Sequence, residues 1–164
     1  MQYTIRHTIE TDVDGFWKLT FDAELLQAIH RHLGSVCKLL EQRTDERGVL
    51  HRTLEYSAPL ELPSMATKLV GDGSCTETGH FDPAAKRYRA QTVPKIGADK
   101  FQINLDLFAE PLAANRCERV LVMENIVKII GLGPALEKIL EQPQREAQDR
   151  AVAFMNAWIK ERAA

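Results

Sequence analysis

Lys100-Phe101-Gln102-Ile103-Asn104-Leu105-Asp106-Leu107-Phe108-Ala109 is the stretch that decides the fold. Phe101, Ile103, Leu105, Leu107 and Ala109 fall on one side of an extended chain, and Gln102, Asn104 and Asp106 on the other. A strand with one apolar face needs a second layer to cover that face. The sequence supplies one at its far end, where Ala147, Ala151, Phe154, Met155, Trp158 and Ile159 recur at helical spacing. The pairing predicts a sheet whose Phe101, Ile103, Leu105 and Leu107 face a C-terminal helix.

Working outward, Tyr3, Ile5, His7 and Ile9 alternate as in a first strand. Helical character follows. Asp12 and Asp14 precede Phe16, Trp17 and Leu19, with Gly15 weakening the helix locally. Asp22 is placed to cap a second helix through Leu25, Leu26, Ile29 and Leu33, which Gly34 stops. Val36–Gln42 and Val49–Tyr56 flank Asp45-Glu46-Arg47-Gly48 as a hairpin. Pro59 and Pro63 interrupt the strand pattern, and Ser64–Val70 has room for a short helix, closed by Gly71-Asp72-Gly73. Two strands, Ser74–Phe81 and Lys86–Val93, surround a turn at Asp82-Pro83. The last strand, Arg116–Val127, is apolar on both faces at Val120-Leu121-Val122-Met123, as in a strand covered on both sides or central to a sheet. Gly131-Leu132-Gly133 then breaks the chain and Pro134 suits a first helical position. Pro143 predicts a kink or break in the final helix, splitting it into a short and a long part.

This order predicts an α+β fold: a curved antiparallel sheet of about seven strands around a long C-terminal helix, with two short helices after the first strand. No repeat, low-complexity tract or linker divides the chain, so residues 1–164 are read as one domain. A chain of this length buries roughly 70% of its unfolded surface and needs no disulfide or metal to hold a core. Cys37, Cys75 and Cys117 are odd in number, widely spaced and placed in strands, which predicts buried apolar thiols.

Composition narrows the function. The net charge of −2 with mixed signs gives no broad footprint for nucleic acid. No apolar stretch reaches the roughly 20 residues of a membrane-spanning helix, and the N-terminus lacks the pattern of a signal peptide, so a cytoplasmic location without stable membrane insertion is expected. His30 and His32 point to different faces of their helix, and the other histidines are scattered, so no metal site is expected. There is no Gly-x-Ser-x-Gly elbow and no phosphate loop, and no cofactor is expected. Gly131-x-Gly133 before a helix offers backbone donors to an anion, but a plain turn explains it better.

The element order resembles the helix-grip fold of the START-like, polyketide-cyclase and lipid-transport superfamily. Within it, the chain looks most like a bacterial family of uncharacterised START-like proteins. The residues that carry the resemblance are Leu62-Pro63-Ser64, Lys68-Leu69-Val70-Gly71-Asp72, Thr76-Glu77-Thr78, Leu136-Glu137 and Phe154-Met155-Asn156-Ala157-Trp158-Ile159. A looser similarity to PRELI-type phospholipid carriers lies in the proline-containing segment between strands and the long terminal helix. The resemblance implies a hydrophobic cavity between sheet and helix. It implies no particular ligand and no catalytic residue set, since the superfamily includes carriers, sensors and enzymes.

Charged residues on strand faces are candidates for such a cavity. Leu50, Arg52, Leu54 and Tyr56 share one face, as do Val120, Val122, Glu124 and Ile126. If those faces point inward, Arg52 and Glu124 must find partners, because an unpaired buried charge is very costly. If they point outward, both are surface groups. The ligand-binding set read from the sequence is Arg52, Tyr56, Tyr88, Phe101, Ile103, Leu105, Glu124 and Met155, with the tyrosines combining apolar area and one hydroxyl. The Ser64–Val70 segment, flanked by glycine, is the expected gate. The expected function is non-catalytic binding or transport of a hydrophobic small molecule or lipid. A cyclase- or hydrolase-like enzyme, with Glu124, Glu77 or His80 as acid or base, and a ligand-free interaction domain are the alternatives.

Overall fold

A computed structural model describes residues 1–57, 64, 71 and 73–163. The described elements run β1 (Gln2–Ile9), α1 (Val13–Thr20), α2 (Ala23–Leu33), β2 (Cys37–Thr44), β3 (Leu50–Ser57), β4 (Ser74–Asp82), β5 (Arg87–Pro94), β6 (Phe101–Ala113), β7 (Arg116–Val127) and α3 (Gly133–Ala163). The short helix expected at Ser64–Val70 lies, apart from Ser64, outside the described residues, as do Pro59, Pro63 and Asp72.

Local chemistry accounts for the boundaries. The Asp12 carboxylate accepts from the Gly15 amide and the Asp22 carboxylate from the Leu25 amide, each satisfying a donor that a helix start leaves open. Gly34 adopts the left-handed conformation (φ 77°) that ends α2. In the β2–β3 turn, Asp45 Oδ1 accepts from the amides of Arg47 and Val49.

The seven strands form one antiparallel sheet in the order β1-β7-β6-β5-β4-β3-β2. β1 and β2 therefore lie on opposite edges, and the two helices between them carry the chain across the sheet. Helix α3 packs against the inner face, on β7 and β1. Tyr3, Ile5 and Ile9 of β1, Tyr88 of β5, Ile103 and Leu107 of β6, and Leu121 and Met123 of β7 join Val152 and Met155 of α3 in the core. Phe101 and Leu105 are half-buried against it, so the strand at 101–107 faces inward as its alternation requires. Phe16, Trp17 and Leu25 from the N-terminal helices extend the same core. Cys37, Cys75 and Cys117 are buried as thiols, and burial pushes those of Cys37 and Cys117 up to about 11.

Two features differ from the sequence reading. β6 runs to Ala113 through Pro111, where the register with β7 shifts. Proline is tolerated at such an irregularity near a sheet end, because no regular ladder bond is lost. Helix α3 is not split at Pro143 but continues from Gly133 to Ala163. Pro143 removes the bond that would reach the carbonyl of Ile139, and Ile139 is an exposed residue whose carbonyl can turn to water. At the start of α3, Gly133 is required by a close approach: a Cβ there would lie 2.4 Å from the Val127 carbonyl oxygen. In the Gly131-Leu132-Gly133 turn, Gly133 is thus packed against the end of β7, while Gly131 and Leu132 are exposed.

Candidate functional site: a cavity between sheet and helix

Between the inner sheet face and α3 lies a cavity of about 310 Å³, within the range of small-molecule sites. Its walls are mainly apolar. Phe101, Ile103, Leu105 and Leu107 of β6 and Leu121 and Met123 of β7 form one side, and Leu136, Leu140, Val152 and Met155 of α3 the other. Leu26, Ile29 and His30 close it from α2.

One polar group sits at the β3–β4–β5 end. Arg52 Nη2 lies 3.5 Å from Glu77 Oε1, and the Tyr88 hydroxyl donates to the same oxygen at 2.7 Å. Arg52 Nη1 donates to the Thr20 carbonyl, and the guanidinium lies 5.2 Å from the Phe21 ring centre and 4.9 Å from that of Tyr88. Burial works against the Arg52 charge, but the Tyr88 and Glu77 oxygens more than offset it and raise its pKa. Its Nε is buried without a partner among the described residues. Sequence places these groups: Arg52 is opposite Gly79, and Glu77 is opposite Leu54 and Thr92. A Cβ on Gly79 would lie 2.2 Å from the Tyr88 hydroxyl oxygen, so glycine makes room for the ring to reach Glu77. Beside them, burial strongly raises the pKa of both Tyr88 and Tyr56, and the Tyr56 hydroxyl lies 3.4 Å from Thr92 Oγ1. His30 contacts Ser35 Oγ at 2.6 Å, and burial, with Arg52 nearby, lowers its pKa to about 4.

A second polar group joins β7 to α3. Asn125 and Gln144 exchange amide hydrogen bonds at 2.8 and 3.1 Å, and the Tyr3 hydroxyl also donates to Gln144. Burial raises the Tyr3 phenol to about 12. One turn along α3, Gln148 Oε1 accepts from Arg119 Nη2 at 2.7 Å. Both glutamines and Arg119 line the cavity.

Of the residues singled out from the sequence, Arg52, Tyr56, Tyr88, Phe101, Ile103, Leu105 and Met155 line this space, as does Glu77. Glu124 does not. It lies on the outer face in an open depression with His80, Arg89 and Asp106, and accepts from Asn104 Nδ2 at 2.8 Å. The parity of β7 is fixed by its neighbours: Leu121 pairs with Ile5 and Leu107, which sends the odd-numbered residues inward and the even-numbered ones out. Arg119, Asn125, Gln144 and Gln148 were missed. Gln144 and Gln148 stand among Leu140 and Val152 at helical spacing, and a polar pair inside an apolar stripe was the available signal. Among the described residues, no group of three or more His, Cys, Asp or Glu side chains is arranged to hold a metal ion.

The sequence matches, over residues 4–159, the family described as "Protein of unknown function (DUF2505)". The chain belongs to the DUF2505 family. No curated protein matches it. Among solved structures, this DUF2505 chain is similar to the Zhui aromatase/cyclase of Streptomyces sp. R1128, at 15% identity and TM-score 0.65, over 100% of this chain and 97% of the other. It is similar to a START superfamily protein of Mycobacterium smegmatis, at 14% identity and TM-score 0.64, over 96% and 98%. Norcoclaurine synthase of Thalictrum flavum matches at 15% identity and TM-score 0.62, over 98% and 88%. At these identities the likeness establishes the fold: the DUF2505 chain has the START-like, helix-grip architecture. No described helix is long and apolar enough to cross a membrane.

Proposed function

We propose that the protein binds a hydrophobic small molecule or lipid in the cavity between the sheet and α3, and does so without catalysis. The observation that supports this reading most is the cavity itself, about 310 Å³ walled mainly by aliphatic and aromatic side chains, with a few fixed polar groups. Each Å² of apolar ligand surface removed from water there contributes roughly 25 cal/mol, so no reactive group is needed for affinity. Phe101, Ile103, Leu105 and Met155 supply apolar contact, and Arg52, Tyr56 and Tyr88 orient polar atoms of the ligand. Nile red, a neutral apolar fluorophore, should bind saturably with one site per chain. Leu105→Trp, which fills the space, should weaken that binding at least about tenfold while the far-ultraviolet circular dichroism stays unchanged. Unsaturable binding, or equal affinity of the filled variant, would remove this reading.

One observation favours an enzyme as the second reading: the Glu77 carboxylate lines the cavity beside the Tyr88 phenol, where an acid or base would stand. Against it, that carboxylate is already committed to Arg52 and the Tyr88 hydroxyl. The mass of a ligand recovered after prolonged incubation separates the two. An unchanged mass fits a binder, and a changed one fits a cyclase or hydrolase.

A further inference from the structure

The two cavity arginines differ in how their charge is answered. Arg52 faces Glu77, so that pair brings little net charge to the wall. Arg119 is just as buried, yet burial is the dominant influence on it, lowering its pKa to about 10 and leaving it a cation at neutral pH. Among the described residues its side-chain partners are not carboxylates: Nη2 donates to Gln148 and Nη1 lies 3.2 Å from His7 Nδ1. His7 Nε2 is 2.8 Å from Asp149 Oδ1. With Nε2–H directed to that carboxylate, Nδ1 is left to accept from the guanidinium, so the imidazole offers a dipole and not a charge.

A buried cation without a counter-ion is costly, and a guanidinium held on two sides by neutral acceptors still has donors to offer. Of the described lining residues, Arg52, Arg119 and the exposed Lys100 face a single carboxylate, Glu77. Leu121 and Met123 follow Arg119 on the inward face of β7, so apolar surface begins beside the charge. We propose that the ligand is an amphiphilic carboxylate whose head group pairs with Arg119 and whose tail lies along Leu107, Leu121 and Met155. This rests on the binding reading above and adds the class of ligand.

Isothermal titration with decanoate, decan-1-ol and decylamine at pH 7.5 varies the head group on one chain. Decanoate should bind the wild-type protein at least about tenfold more tightly than decan-1-ol, as expected for hydrogen bonds to a charged group, and decylamine should bind most weakly. In Arg119→Gln the decanoate advantage over decan-1-ol should vanish, and Arg119→Lys should restore part of it. Equal binding of decanoate and decan-1-ol to the wild type, or an undiminished preference in Arg119→Gln, would overturn the head-group assignment and leave the cavity reading standing. Binding of none of the three would overturn both. Should Arg119→Gln not fold, the head-group series on the wild type and on Arg119→Lys decides.

Discussion

Gly79 shows how one missing side chain arranges a polar site. The Tyr88 ring lies over it and reaches Glu77, so a methyl group there must push a stiff aromatic side chain aside. Gly79→Ala should destabilise the protein by about 1–3 kcal/mol, the usual cost of overpacking, as read from denaturant melts. His30 makes a pH prediction. Its folded pKa, about 4, lies below the ordinary value of 6.5, so the unfolded chain takes up the proton first as pH falls. Stability should therefore be complete above pH 6.5 and decline between pH 6.5 and 4, and His30→Gln should decline less across that window in melts at stepped pH. Trp158 and Phe16 differ in burial: Phe16 is fully enclosed, whereas Trp158 is half-buried with Arg162 3.3 Å from its ring centre. Phe16→Ala should cost about 3–5 kcal/mol and Trp158→Ala distinctly less. The face carrying Leu50, Arg52, Leu54 and Tyr56 left an inward and an outward position open in the sequence, and the cavity lining is what places Arg52, Tyr56 and Tyr88 inside. Glu124 was misplaced because Val120-Leu121-Val122-Met123 is apolar at every position, so alternation within β7 gives no parity.

At the scale of elements, what was legible depended on whether a local signal competed with a tertiary one. β6 was legible because its alternation is unbroken, and α1 and α2 because Asp12, Asp22 and Gly34 satisfy open helix ends locally. The parity of β7 was not, since only pairing to Ile5 and Leu107 sets it. Pro143 is a local break signal overridden by packing: Leu140 and Gln144 on either side are both buried against the sheet. Pro143→Ala should restore the missing helical bond and raise stability by about 1–3 kcal/mol without changing the fold, as thermal melts would show. The Asn125–Gln144 amide pair ties α3 to β7 in the interior. Asn125→Ala leaves the Gln144 Nε2 donor buried and unpaired, while Gln144 Oε1 keeps the Tyr3 hydroxyl, and should cost about 1–3 kcal/mol in denaturant melts.

For the whole molecule, the sheet has two chemically distinct faces, and the ligand is assigned to only one. The outer face is tied by polar contacts such as Arg87 with Asp106 and Asn104 with Glu124. The inner face meets α3 with apolar side chains and leaves about 310 Å³ open between them. Methyl-resolved nuclear magnetic resonance during a titration with decan-1-ol tests that assignment most directly, since each face carries its own reporters. The methyl signals of Ile103, Leu107, Leu121, Met123 and Met155 should shift saturably, with one common dissociation constant, while those of the outward Val122 and Ile126 stay in place. Shifts confined to Val122 and Ile126, or no saturable shift of the inner methyls, would contradict a ligand site between the sheet and the helix.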